Sequence, residues 1–258
     1  MSTGVIGGAP AYLLLRRLGS HIAEQERSSE QAGKQGSSKL QALFGPRVWS
    51  RITGRTVIDF GCGGGFEAVE MAKRGAHRVI GVDCRQWVLD HATELAKAGS
   101  VSRVCNFCLH TEERADVIFS IDGFEHYDDP TEILKLFGRL LKPGGSVLIS
   151  FGPPWLHPYG GHLFSVFPWA HLVFTENALI RWRSDFKSDG ATRFREVDGG
   201  LNQMTVARFR RLISESDFAI SQFEPVPIRR LRHLHNRFTE EFLTSVVQCV
   251  LVPKAAIS

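Results

Sequence analysis

Apolar residues in this chain gather into short, nearly unbroken runs. Between the runs they recur every third or fourth position. The runs are Thr56–Phe60, Arg78–Val82, Val104–Leu109, Ala115–Ile121 and Ser146–Phe151. Near-continuous apolar runs of this length fit strands covered on both faces. The periodic segments predict helices over Phe66–Arg74, Gln86–Ala98 and Pro130–Leu141. Gly75 and Gly99 stop the first two, and Lys142-Pro143-Gly144-Gly145 turns the third into the next strand. After residue 200 the pattern gives a helix (Thr205–Ser214), a strand (Phe218–Glu224), a basic helical stretch (Arg229–Phe242) and a last strand (Thr244–Val252). Strands alternating with helices mean a parallel sheet with helices on both faces, and right-handed crossovers make it doubly wound.

The same pattern divides the chain. Residues 1–45 form an N-terminal helical or flexible segment, with a polar Ser/Gln/Gly-rich linker over 24–39. Apolar spacing resumes over Leu40–Trp49, which is expected to lie against the main domain. Residues 46–152 form a core, 153–203 an aromatic-rich cap inserted after its fifth strand, and 204–258 the C-terminal part of the same sheet.

Composition narrows the class. The chain has 258 residues, 43% hydrophobic and 22% charged, which suits an ordinary globular α/β domain. Its five cysteines are odd in number and irregularly spaced, so a disulfide framework is not expected. Cys105 and Cys108 form a C-x-x-C inside an apolar run and read as buried strand residues. These features point to a reducing, cytoplasmic setting. No apolar stretch reaches the length of a membrane span. Tyr12–Leu15 is too short for a signal peptide. The net charge of +4 does not imply nucleic acid. Nothing in the sequence sets an oligomeric state.

The chemistry begins at residue 56, with TVIDFGCGGGFEAVEMAKRGAHRVIGVD. The turn is Gly61-x-Gly63-x-Gly65. A dinucleotide fingerprint needs glycine at residue 66, where this chain has Phe66; that counts against a pyrophosphate on the helix N-terminus. Asp59 stands two residues before the turn, where a carboxylate repels phosphate and suits an ammonium. Asp83 ends the second strand, where a carboxylate accepts from ribose hydroxyls. A ribose, a cationic amino-acid group and no phosphate describe S-adenosylmethionine.

On VIDFGCGGG, GVD and LKPGGSVLIS, in that order, residues 50–152 resemble the class I S-adenosylmethionine-dependent methyltransferases. The resemblance implies a Rossmann-like sheet of seven strands, mostly parallel, whose last strand is antiparallel. It implies that Asp59, Gly61, Gly63 and Gly65 hold the methionine part and Asp83 the ribose. Cys62, Cys84 and Asp122 complete the expected cofactor-binding set. The acid that commonly contacts adenine after the third strand is replaced by Leu109-His110-Thr111-Glu112-Glu113.

The fourth strand runs into SIDGFEHYDDP. Three readings apply. His126 hydrogen-bonds locally while Glu125 shapes the pocket; or His126 is a general base, with His162 as a second catalytic candidate; or the cluster binds a metal. Acid-x-x-Glu-His resembles the metal-binding stretch of ubiquinone-biosynthesis O-methyltransferases and small-RNA 2′-O-methyltransferases. That resemblance implies a divalent cation on Asp122, Glu125, His126 and His162, with His157 and His171 as other candidates for the later histidine.

Residues 151–186 carry nine of the chain's 26 aromatics, four prolines and three histidines. Such a segment offers apolar walls with polar tips, and most of its rings are expected to fill a core of their own. It suits a small aromatic or apolar acceptor methylated on O, N or C. An RNA 2′-O-methyltransferase and a noncatalytic partner protein of the same fold remain as alternatives. The basic run from Arg229 to Arg237 reads as a solvated face, so nucleic acid is not the expected partner.

Overall fold

A computed structural model describes residues 4–22, 38–197 and 199–256. Residues 24–37 of the expected linker lie outside them. Thr56–Phe60 (β1), Arg78–Val82 (β2), Cys105–Cys108 (β3), Ala115–Ile121 (β4), Leu141–Phe151 (β5), Phe218–Pro227 (β6) and Thr244–Pro253 (β7) form one seven-stranded sheet. The order is β3-β2-β1-β4-β5-β7-β6, and β7 runs antiparallel to both neighbours. The expected Rossmann-like methyltransferase sheet is the one observed.

Alternate residues of each strand feed two separate cores, as the pleat requires. Ile58, Ile118 and Ile149 face Phe124, Phe137 and Phe209 on one side. Val57, Val117 and Leu148 face Leu40, Val48 and Met71 on the other. Leu40–Phe44 (helix α2; Gly8–Leu18 is α1) and Val48–Ile52 (α3) therefore lie on the sheet where the apolar spacing puts them. Cys105 and Cys108 are unbridged strand residues on opposite faces; Cys105 is buried as expected, while Cys108 is half-buried.

The helix over Phe66–Lys73 (α4) and that over Gln86–Ala98 (α5) match the periodic pattern closely. Pro130–Leu140 (α6) starts at Asp129, whose side chain accepts from Thr131 N and Glu132 N. Leu141 belongs to β5 rather than to the helix. It pairs with Ala115, and Lys142–Gly145 bulges out before pairing resumes at Ser146. Pro143 has no donor for the ladder and Gly144 is left-handed at φ +75°, so this turn sits inside the strand as a bulge. The basic stretch is not one helix. Arg229–Leu234 is a 3₁₀ segment, Asn236 Oδ1 accepts from Phe238 N, and helix resumes only at Glu240–Leu243. An Asn turning back on its own backbone competes with the helix there.

Residues 153–203 build a third core. Trp155, Phe164, Phe174, Trp182 and Phe194 pack together, with Ala170–Val173 (α7) and Glu176–Arg183 (α8) as its helices. Helix α1 completes this core through Ala11 and Leu15. Its leading strand residue is stitched in by Ile6 N to Val173 O and Thr175 N to Ile6 O. Gly19, at the end of α1, lies so close to the Trp182 ring that no side chain fits between them.

Trp182 is 2% exposed and central to this third core. Trp182→Ala is expected to lower stability by about 3–5 kcal/mol. Urea unfolding followed by far-ultraviolet dichroism measures it; a loss below about 1 kcal/mol would mean that this core adds little to the fold.

Candidate active site

The glycine turn leaves the carboxyl end of β1 and enters α4. Gly61 N and Cys62 N both donate to Val82 O, which bends the chain back over β2. Gly61, Gly63 and Gly65 all have positive φ, at +80°, +49° and +80°. A Cβ on Gly65 would stand 2.7 Å from Ala92 Cβ, so only glycine allows the close approach of α4 and α5. A Cβ on Gly63 would meet no atom within 4 Å, which leaves the outer side of the turn open to a ligand.

Two carboxylates flank the turn. Asp83 is buried, and its Oδ2 accepts from Gly63 N at 3.0 Å while Oδ1 accepts from Arg85 N at 3.1 Å and from Arg85 Nε at 3.1 Å. Asp59 is 2% exposed, and its Oδ2 is buried without a partner. Burial, then the nearby Glu67 charge, hold the Asp59 carboxyl well above the usual carboxylate range. Of the cysteines expected here, Cys62 is buried and Cys84 exposed.

The loop after β4 carries the second group. Glu125 is 3% exposed; its Oε1 accepts from Gly152 N at 3.0 Å and its Oε2 is buried without a partner. Burial pushes the Glu125 carboxyl up to about 7, against the pull of His126. His126 Nδ1 lies 2.7 Å from Gly200 O. His162 Nε2 is buried with no partner, and burial pushes this ring down to about 4. One atom from each of Glu125, His126 and His162 falls within a 4.8 Å sphere of separations. A cavity of about 10 Å³, enough for roughly one water-sized atom, touches Glu125 and His162.

Local geometry explains why His162, and not its neighbours, reaches this cluster. A Cβ on Gly160 would collide with Pro154 O, and one on Gly161 with the His171 ring, so the Gly-Gly pair alone permits the turn. His162 follows in a left-handed conformation at φ +51°, which costs a non-glycine residue of order 1 kcal/mol. His171 is spent between Ser165 Oγ at 2.9 Å and Trp155 O at 2.6 Å. His157 accepts from Tyr159 N and points its ring elsewhere.

Asp122 does not join the cluster of three. It is paired with Lys39 Nζ at 2.5 Å, and that hydrogen bond raises the Lys39 ammonium above its ordinary value. Lys39 N also donates to Glu67 Oε1. Lys39 and Glu67 thus belong to the site although no sequence motif marks them; a lone lysine at the end of a polar linker carries no signal. Tyr127, likewise unflagged, donates to Phe60 O beneath Gly61 and lies 2.9 Å from Ser120 Oγ.

A family model described as "Methyltransferase domain" matches residues 29–243. Among curated proteins, the ubiquinone biosynthesis O-methyltransferase of Neisseria meningitidis is 35% identical over 106 residues, covering 38% of this chain and 44% of that protein. The protein of the same name from Acinetobacter baylyi is 36% identical over the same shares. The chain therefore spans less than half the length of these curated relatives. A solved S-adenosylmethionine-dependent methyltransferase of Mesorhizobium loti superposes with a TM-score of 0.54 at 17% identity, over 84% of this chain and 98% of that one.

Asp59 sets a pH dependence. Its carboxyl is protonated more readily in the fold than in the unfolded chain, so its penalty is absent below the ordinary carboxylate range. The penalty grows as pH rises toward the folded value. Asp59→Asn is expected to stabilise the ligand-free protein at neutral pH, with a shallower loss of stability as pH rises above the ordinary carboxylate range. Urea titrations of both proteins from that range upward decide it; parallel curves would show that Asp59 ionises freely.

Proposed function

The chain belongs to the methyltransferase-domain family, and we propose that it moves the methyl group of S-adenosylmethionine onto a hydroxyl oxygen of a small aromatic or apolar acceptor. That it is an S-adenosylmethionine-dependent methyltransferase follows from the family. The choice of oxygen leans on relatives named as ubiquinone biosynthesis O-methyltransferases. The observation that carries the cofactor assignment is the pair of buried carboxylates beside an open glycine turn. Asp83, fixed by Gly63 N and Arg85, would accept from the ribose hydroxyls. Asp59 would face the cationic methionine part, whose charge favours the ionised form that burial opposes.

In this reading the acceptor lies between the β4 loop and the 153–203 segment, which caps it. The acceptor oxygen forms its bond to the methyl carbon as the sulfur–carbon bond breaks, and the hydroxyl proton must leave. Most of the rate would come from alignment and exclusion of water. Glu125, His126 and His162 would receive the proton or orient the oxygen.

The donor set also fits a divalent cation. Two imidazoles and one carboxylate with open positions is a recognised metal arrangement, and two of the three side chains hold a buried atom with no partner. Gly152 N and the Gly200 carbonyl orient Glu125 and His126 as outer partners commonly orient ligands. A bound cation would lower the pKa of a coordinated hydroxyl. Asp122, held by Lys39, is left out of this set.

Two measurements bear on these assignments. S-adenosylhomocysteine should bind by calorimetry, and Asp83→Ala should weaken it by about tenfold or more, the loss expected from two hydrogen bonds to a carboxylate. No heat with the wild type, or equal affinity in the variant, would remove Asp83 from the cofactor site. Manganese titration followed by paramagnetic resonance should give one bound ion per chain, abolished by Glu125→Gln with His162→Ala. A wild type that binds no manganese would leave the cluster as an acid–base group alone.

A further inference from the structure

We propose that a recess lined by Arg193, Arg195 and Arg208 holds an anionic end of the acceptor, a carboxylate or a phosphate; this rests on the acceptor reading above. The recess measures about 280 Å³ and adjoins the Glu125–His162 cavity, with Leu201 and Gln203 lining both. Segment 200–203 is therefore the wall between them.

That wall is tied to the reactive cluster. Asn202 N donates to Glu125 O, and Asn202 Nδ2 donates to Phe124 O and Tyr127 O. Gly200 O meets His126 Nδ1. Gln203 is held left-handed at φ +58°, a conformation that persists only where the surroundings enforce it.

Charge supplies the second argument. Arg208 is half-buried, and its guanidinium donates to a neutral group, the Asn202 carbonyl. Burial, and after it the like charge of Arg211, lowers this guanidinium from its ordinary value. No salt bridge holds Arg193, Arg195 or Arg208 among the described residues. Asp128 and Glu176 also line the recess, but Glu176 Oε1 is engaged by Phe194 N at 2.5 Å. Glu196, which feels both Arg193 and Arg195, gives its Oε2 to Thr192 N and Oγ1. Three arginines and two acidic residues thus line a hollow of small-molecule size, with Glu196 beside two of the arginines. A guanidinium fork matches a carboxylate or phosphate in two parallel hydrogen bonds. An acceptor anchored there would run along the 200–203 segment, with its hydroxyl directed toward the cluster.

Fluorine NMR tests this without any turnover. Para-trifluoromethylbenzoate should broaden on addition of the protein, and para-trifluoromethylbenzyl alcohol should not. Arg193→Ala with Arg195→Ala should weaken benzoate binding about tenfold or more, as loss of charge-assisted hydrogen bonds requires. Arg208→Gln should do the same, and the surface double variant stands in if Arg208→Gln fails to fold. Inorganic phosphate that displaces the benzoate at equal or lower concentration makes phosphate the preferred anion; failure to displace it makes carboxylate the one. Equal binding of the alcohol, or wild-type benzoate binding by the double variant, overturns the proposal. S-adenosylhomocysteine calorimetry on the same samples keeps the two readings apart. Arginine-dependent benzoate binding without nucleoside binding would sink the cofactor reading and leave the recess standing.

Discussion

The structure turns on one buried carboxyl group. Asp59 is carried to the carboxyl edge of the sheet by a strand whose other residues are needed in both cores. Its position is thus fixed by packing, and its carboxylate is withdrawn from water with one oxygen unpartnered. A proton, a cation or a hydrogen-bond donor would satisfy it. The neighbouring strands β1 and β4 diverge in their connections at this edge, which is where ligands bind in such sheets. The glycines, the second carboxylate and the β4 loop are arranged around the same point.

The Glu125 cluster repeats the logic with different partners. Each of its three side chains is held by a backbone group or a strained turn, and buried donors or acceptors remain unused at its centre. Leaving such atoms unmatched is destabilising, and proteins keep them chiefly where function uses them. Two of the three residues come from the sheet edge and the third from the 153–203 segment. The cluster is complete only when that segment is docked against the sheet edge.

Much of this was legible in the residues. Strands β1, β2 and β4 were readable to the residue because buried parallel strands are apolar at nearly every position and end at glycine or charge. The two carboxylates beside the glycine turn were legible because Asp59 and Asp83 interrupt those runs. His162 was named from the residues, but what sets it apart from His157 and His171 was not legible, since it depends on which rings find partners in a loop packed by glycine contacts. Lys39 was invisible for a similar reason: its meaning comes from Asp122 lying opposite, 83 residues away. The broken helix over 229–242 shows the limit of periodicity where Asn236 offers the backbone a local alternative.

The shared core of helix α1 and residues 155–182 bears on how the polypeptide emerges from the ribosome. Ala11 and Leu15 find their cover only after Trp182 has left the exit tunnel, about 10–30 s later at typical elongation rates of roughly 5–20 residues per second. During that interval an apolar helix face beside Arg16 and Arg17 is open to whatever waits at the tunnel mouth. The apolar face of helix α1 thus stays uncovered until the middle of the protein arrives.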